Sequence, residues 1–264
     1  MKKLLVGLCA IFICTFAIAH SIEWYVDGSL YQTTTCNSGD NITPPVAPTK
    51  YGYSFAGWKE QYAKLEYIES TGTQYIDTGI ILKSKATITS VGQFLSTSET
   101  APESIWGFIG ASTRPRWGWS IYRQNMWLAD LNVTGQDLPP ADTQKHTFVN
   151  TCYYVNTNLY YNGFVDGNAI YAPAPIATNV EEYTSNTLSA YLFARNYSNT
   201  AGNFSVSRIF SFNIVQDDVL VIDLIPARRN SDNAVGMYDT VSDTFFTNAG
   251  TGEFIAGPEV GDLR

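Results

Sequence analysis

Charge is scarce in this chain. Asp, Glu, Lys and Arg together make up 15% of 264 residues, and the acids outnumber the bases 24 to 16. Beyond Met1-Lys2-Lys3 and the single pair Arg228-Arg229 no basic cluster occurs, so the positive stripe that a nucleic acid or anionic membrane surface requires is missing. Histidine occurs twice, as His20 and His146, and cysteine four times. Neither is spaced as a zinc cage, and four cysteines in a chain of this length do not make a disulfide framework. A Gly-x-Ser-x-Gly nucleophile elbow is absent. So is any convincing amphipathic helical period. Apart from the first residues, no apolar run approaches the roughly 20 residues that cross a bilayer.

The N-terminus carries the longest apolar stretch. Met1-Lys2-Lys3 precedes a run from Leu4 to Ala19 that ends in the small-residue site Ala17-Ile18-Ala19. This is the pattern of a secretory signal peptide, and cleavage is expected before His20. The run is too short for a membrane anchor, so no membrane insertion is expected after cleavage. The mature protein is expected outside the cell, at its surface or in the periplasm. Cys9 and Cys14 leave with the signal, while Cys36 and Cys152 remain. Export permits a bridge, but a thiol reading of both suits their positions, and the sequence leaves pairing open.

Aromatic residues reach 14% and the low charge is that of an ordered chain. Short β-rich runs recur between Gly, Asn, Asp and Pro clusters, which predicts an all-β antiparallel sandwich. Asp27-Gly28 between Ile22–Val26 and Leu30–Thr35 predicts a two-residue hairpin. Phe204, Val206, Phe210, Phe212 and Ile214 are expected on one strand face, with Arg208 as the exception. Val219–Ile225 is nearly continuous and apolar and is expected to be buried on both faces. Leu188–Arg195 reads as one strand, and His146–Val155 as a core strand.

Two blocks at the ends of this β region carry a family likeness. Leu65-Glu66-Tyr67-Ile68-Glu69-Ser70-Thr71-Gly72-Thr73-Gln74-Tyr75-Ile76-Asp77-Thr78-Gly79 resembles the opening strands of a laminin G-like, concanavalin A-type jelly roll. Residues 204–256, with Gly236-Met237-Tyr238-Asp239 and Phe245-Phe246-Thr247-Asn248-Ala249-Gly250-Thr251-Gly252, resemble its closing strands. Lys145 through Tyr160-Tyr161-Asn162-Gly163 resembles an internal strand pair ending in a Tyr-x-Asn-Gly turn. The segment from Ile22 through the prolines at 44, 45 and 48 to Tyr51-Gly52-Tyr53-Ser54-Phe55-Ala56-Gly57-Trp58 resembles an internalin B-type bacterial surface repeat. The expected organisation is a signal at 1–19, the repeat-like β segment at 20–61, the jelly roll at 62–258 and a tail at 259–264.

The resemblance implies a carbohydrate- or protein-binding role, because such modules bind ligands on rim loops or sheet faces. Some enzymes share the jelly roll and carry Glu-x-Asp-x-x-Glu, which puts acid and nucleophile on one strand face. That run is absent, so no enzyme activity is expected. Such modules often hold calcium through rim oxygens. Asp77, Asp166, Asp239 and Asp243 are the candidate ligands, but none forms a calcium loop, and no cofactor or metal is expected. The candidate ligand-binding group is Arg114, Arg116, Trp117, Trp119, Tyr122 and Trp127. Trp117 and Trp119, two apart, share one strand face, where flat rings either stack on sugars or fill the core. The function expected is an exported non-catalytic module recognising a glycan or a surface protein. A phage-tail-like structural module is the alternative, since the same end blocks resemble phage tail proteins, and a polysaccharide-degrading enzyme ranks behind both.

Overall fold

The structure, a computed structural model, describes residues 19–37, 40–58, 61–82, 85–97, 101–109, 116–122, 125–128, 140–156, 158–169, 175–177 and 187–262. The chain divides into two compact units, Met1–Lys59 and Glu60–Arg264. Among the described residues the secondary structure is all strand, and no helix is long and apolar enough to cross a membrane.

The first unit holds β1 (Ala19–Val26) and β2 (Ser29–Asn37), paired antiparallel. Asp27 and Gly28 join them at φ 50° and 77°, the left-handed pair that a tight hairpin of matching twist demands. Trp58 closes the unit. Its ring lies 5.1 Å from Trp24 and 5.1 Å from Phe55, and its Nε1 donates to the Pro45 carbonyl (3.1 Å).

The second unit is a sandwich. In chain order its strands are β3 (Tyr62–Leu65), β4 (Ile68–Thr71), β5 (Ile76–Ile81), β6 (Ala86–Phe94) and β7 (Glu103–Ile109). Then come β8 (Arg116–Tyr122), β9 (Asn125–Leu128), β10 (Lys145–Val155), β11 (Asn158–Val165), β12 (Asn168–Ala169) and β13 (Pro175–Ala177). The chain continues with β14 (Ser189–Leu192), β15 (Arg195–Tyr197), β16 (Thr200–Gly202), β17 (Val206–Gln216) and β18 (Val219–Arg229). It ends with β19 (Val235–Asp239), β20 (Thr244–Phe246), β21 (Ile255–Ala256) and β22 (Glu259–Asp262). The larger sheet runs β12-β11-β10-β6-β17-β18-β19-β20, with β3, β4, β13, β21 and β22 attached at its margins. The smaller runs β16-β15-β7-β14-β5, with β8 and β9 continuing from β7. Among the described residues all pairs are antiparallel except β15 with β7. The two sheets meet through Trp106 against Phe212, Trp119 against Phe148 and Phe94, and Phe193 against Phe254. These rings belong to one continuous buried core.

β6 keeps the period two readable in its sequence, whereas β17 and β18 depart from expectation. β6 alternates without a break: Ala86, Ile88, Ser90, Gly92 and Phe94 face inward, and Thr87, Thr89, Val91 and Gln93 outward. Gly92 on that face lies beneath a large ring. A Cβ on Gly92 would stand 3.0 Å from the Trp119 ring and 2.9 Å from Ile105. β17 changes phase at a bulge opposite β6 between Ile209 and Ser211. Ser207 and Ile209 point inward before it, Phe212 and Ile214 after it, while Val206 and Phe210 turn outward with Arg208. The expected single period-two face is therefore broken, since one extra residue flips the side-chain parity. β18 buries only one side. Ile222 and Leu224 are core, Val221, Asp223 and Ile225 on the other side are half-buried, and Val219 and Leu220 at the strand's start are exposed.

The expected strand at 188–195 is two strands, β14 and β15. Phe193 breaks them at φ 62°, a costly conformation for a bulky residue. Full burial against Phe254 and bonds from its N–H to Ile105 O (2.6 Å) and from Ser205 N to its carbonyl (2.9 Å) hold it there. Asn162-Gly163 lies inside β11, and the turn falls at Asp166-Gly167 instead. The stretch expected as a tail includes β22, which pairs with β3.

Candidate functional site

Trp117 and Trp119 do share one face of β8, and that face is the core. They are 1% and 0% exposed. Trp119 stacks on Phe148 with centroids 3.7 Å apart, and Trp117 meets Trp106 edge-on at 6.0 Å. A buried ring has no free face to offer a sugar, which corrects the ligand-binding expectation for both tryptophans. Arg114 lies outside the described residues. The backbones of Arg116, Tyr122 and Trp127 are described as members of β8 and β9, and their side chains lie outside what is described.

The face that does look outward belongs to the larger sheet, across β11, β10, β6 and β17. Antiparallel register sets its residues side by side in rows. Asn162, Thr151, Thr87 and Val215 form one row; Phe164, Val149, Thr89 and Asn213 form the next. Thr147, Val91 and Ser211 follow, then Lys145, Gln93 and Arg208. All but Lys145, which is exposed, are half-buried. Thr87 and Thr151 hydroxyls are 3.0 Å apart.

Aromatic groups bound the face at both ends. Tyr153 and Tyr160, directly opposite each other, stack with centroids 5.2 Å apart at 10°. At the other end the bulge on β17 adds Phe210, whose ring lies 5.4 Å from Tyr67. The Lys145 ammonium sits 4.1 Å over Phe210, and the Arg208 guanidinium 4.4 Å over Tyr67 while bonding Glu69 at 2.7 Å. Tyr153 and Lys145 are eight positions apart on β10, so the face is roughly 27 Å long. The period-two alternation of Ala86–Phe94, now β6, is legible in the sequence as a weak signal. The Phe210 contribution was not, because it depends on the bulge.

His146 is the other group that gains a setting beyond that of a plain strand residue. Its Nδ1 lies 2.7 Å from Asp166 Oδ2 and its Nε2 2.8 Å from Asp142 Oδ1. Burial disfavours charge on the ring, but the Asp166 and Asp142 carboxylates outweigh it and raise its pKa above the ordinary value. Burial likewise opposes charge on the two carboxylates. Backbone N–H groups and His146 overcome this and lower both pKa values.

The four aspartates weighed as calcium ligands occupy separate local bonds. Asp77 accepts from Ser189 Oγ (2.6 Å), and Asp239 caps a turn through the N–H groups of Val241 and Ser242. Asp243 accepts from Tyr238 (2.7 Å), and Asp166 faces His146. Among the described residues no group of three or more His, Cys, Asp or Glu side chains converges to hold a metal. No disulfide occurs among them: Cys152 is buried in β10, and Cys36 lies in β2 of the other unit. No protein-family model matches the chain, and no curated protein is detectably similar to it.

Proposed function

We propose that this protein is an exported, non-catalytic binding module of laminin G-like, concanavalin A-type build. In this reading it recognises a glycan or a surface protein through the outer face of its larger sheet. The observation that carries it is the make-up of that face. Hydroxyl and amide groups from Thr87, Thr89, Thr151, Asn162 and Asn213 lie in register between the Tyr153–Tyr160 stack and the Tyr67–Phe210 pair. Hydroxyls and amides supply directional bonds, and flat rings supply an apolar surface at low entropic cost. A face polar and aromatic in this mixture suits a ligand with the same mixture, as a sugar chain or a Tyr-rich protein surface has.

The non-catalytic part rests on carboxylate placement. Glu69 and Asp223 pair with β17 opposite Arg208 and Asn213, five positions apart, which puts them roughly 17 Å from each other along the strand. Glycosidase pairs stand about 5–9.5 Å apart. Both are also engaged, Glu69 with Arg208 and Asp223 with Thr240.

The test is a glycan array and a panel of cell-surface proteins probed with residues 20–264. Wild type is expected to bind at least one of them. Tyr153→Ala is expected to weaken that binding about tenfold, some 1.4 kcal/mol, with an unchanged melting temperature. Binding unaffected by Tyr153→Ala and by Asn162→Ala would move the site elsewhere, and no binding by wild type would overturn the reading.

A further inference from the structure

His146 is held in a way that depends on one proton. It is the second residue of β10, on the same side as the core residues Phe148, Asn150 and Cys152, and its side chain is 15% exposed at the rim of the sandwich. Its two ring nitrogens face two carboxylates from different segments. Asp142 belongs to the loop entering β10, and Asp166 to the β11–β12 turn, where Asp166 and Gly167 have φ 51° and 79°. A neutral imidazole has one N–H and one lone pair, and only the imidazolium donates from both nitrogens. With the proton, both carboxylates are satisfied. Without it, one carboxylate faces a lone pair.

The two sides of this bridge are unequal. Asp166 is also held by the Thr147 N–H (2.8 Å), and its own N–H donates to the Thr147 carbonyl (2.9 Å). That turn stays on β10 whatever the ring does. Asp142 has one other bond, from the Gln144 N–H (2.8 Å), which lies within its own loop. The remaining ties of that loop are uncharged: Gln93 Nε2 donates to the Thr143 carbonyl (2.9 Å), Pro140 forms a β-bridge, and Ala141 packs against the core. The other groups around the ring do not replace the proton. β6 sets Gly92 opposite His146, and Lys145 points to the opposite face over Phe210, so the charged groups acting on the ring are Asp142 and Asp166.

We propose that His146 is a pH-operated latch, closed as the imidazolium and released on its Asp142 side when the ring loses its proton, so that the loop at 140–144 loosens from the rim. This inference is independent of the ligand-binding reading. The raised histidine pKa places opening above the ordinary value of 6.5, and the lowered aspartate values keep the latch intact down through the usual carboxylate range.

The test is an NMR pH titration of the intact protein. The chain has two histidines, and His146→Gln assigns the signals. The His146 midpoint is expected above 6.5, with Asp142→Asn and Asp166→Asn each moving it down. Hydrogen-exchange protection of the Gln144 amide, corrected for the intrinsic pH dependence of exchange, is expected to fall several-fold through that midpoint. The Thr147 amide is expected to hold steady. A midpoint at or below 6.5, or Gln144 protection that stays level across the titration, would overturn the proposal; both readings need only the wild-type protein.

Discussion

Trp119 and Tyr153 represent two uses of an aromatic ring in one molecule. Trp119 is enclosed by Phe148, Phe94 and the bare backbone of Gly92. Trp119→Ala leaves a cavity that the facing sheet cannot close, and a loss of about 3–5 kcal/mol is expected in urea unfolding. Tyr153 stands on the outer face, half-buried, with Tyr160 as its stacking partner. Its replacement is expected to leave the unfolding midpoint in place. A polar contrast comes from Arg229 and Asp232, which lie three residues apart with Nη2 and Oδ2 at 2.6 Å. The Arg229 bond, helped by the Ala234 N–H, holds Asp232 at about 2, below its ordinary 3.8. Its folded pKa is depressed, so the contribution is present above 3.8 and is lost as pH falls toward 2. Both groups are solvated, and screening keeps the effect on stability small.

Glycines govern how closely neighbouring strands approach. In β19 a Cβ on Gly236 would stand 2.1 Å from the Phe246 carbonyl oxygen in β20, and on Gly118 in β8 it would stand 2.5 Å from the Trp106 carbonyl oxygen in β7. The opposing atoms are backbone and cannot rotate away, so the strands must separate. Gly236→Ala and Gly118→Ala are each expected to cost roughly 1–3 kcal/mol. Amide exchange would locate the loosening at β19–β20 in the first variant and at β7–β8 in the second. The β17 bulge acts in the other direction by adding reach. It turns Phe210 outward beneath Lys145, so deleting Phe210 is expected to restore a regular ladder and to remove one aromatic end of the outer face.

The second unit closes on itself through its two ends. β21 pairs with β4 and β22 with β3. Asn248 accepts from the Tyr75 N–H (3.1 Å), and Gln74 donates to the Glu253 carbonyl (3.1 Å). Residues 60–264 are therefore expected to unfold in one cooperative transition when prepared alone, checked by calorimetry. Removing residues 253–264 is expected to abolish that transition, because it uncovers the Phe193 ring and leaves β3 and β4 without a partner on one side. Among the described residues no disulfide occurs, so a reducing agent is expected to leave the melting temperature unchanged.

The strand-rich composition, the Gly and Asp turns and the alternation along β6 were readable one residue after another, because strand period and turn chemistry are local. They gave the all-β sandwich class. Pairing was not local. The bulge that reverses β17, the break at Phe193 and the single-sided burial of β18 depend on which strand lies alongside and whether a second sheet covers it. The same limit applied to the candidate residues. Period two placed Trp117 and Trp119 on one face, but a periodic pattern does not say whether that face meets water or another sheet. The His146 bridge needed Asp166, twenty positions away, to arrive through a hairpin whose turn lies beyond the Asn-Gly pair that marks a turn in the sequence. Local chemistry is written in order along the chain, whereas burial and long-range pairing are properties of packing.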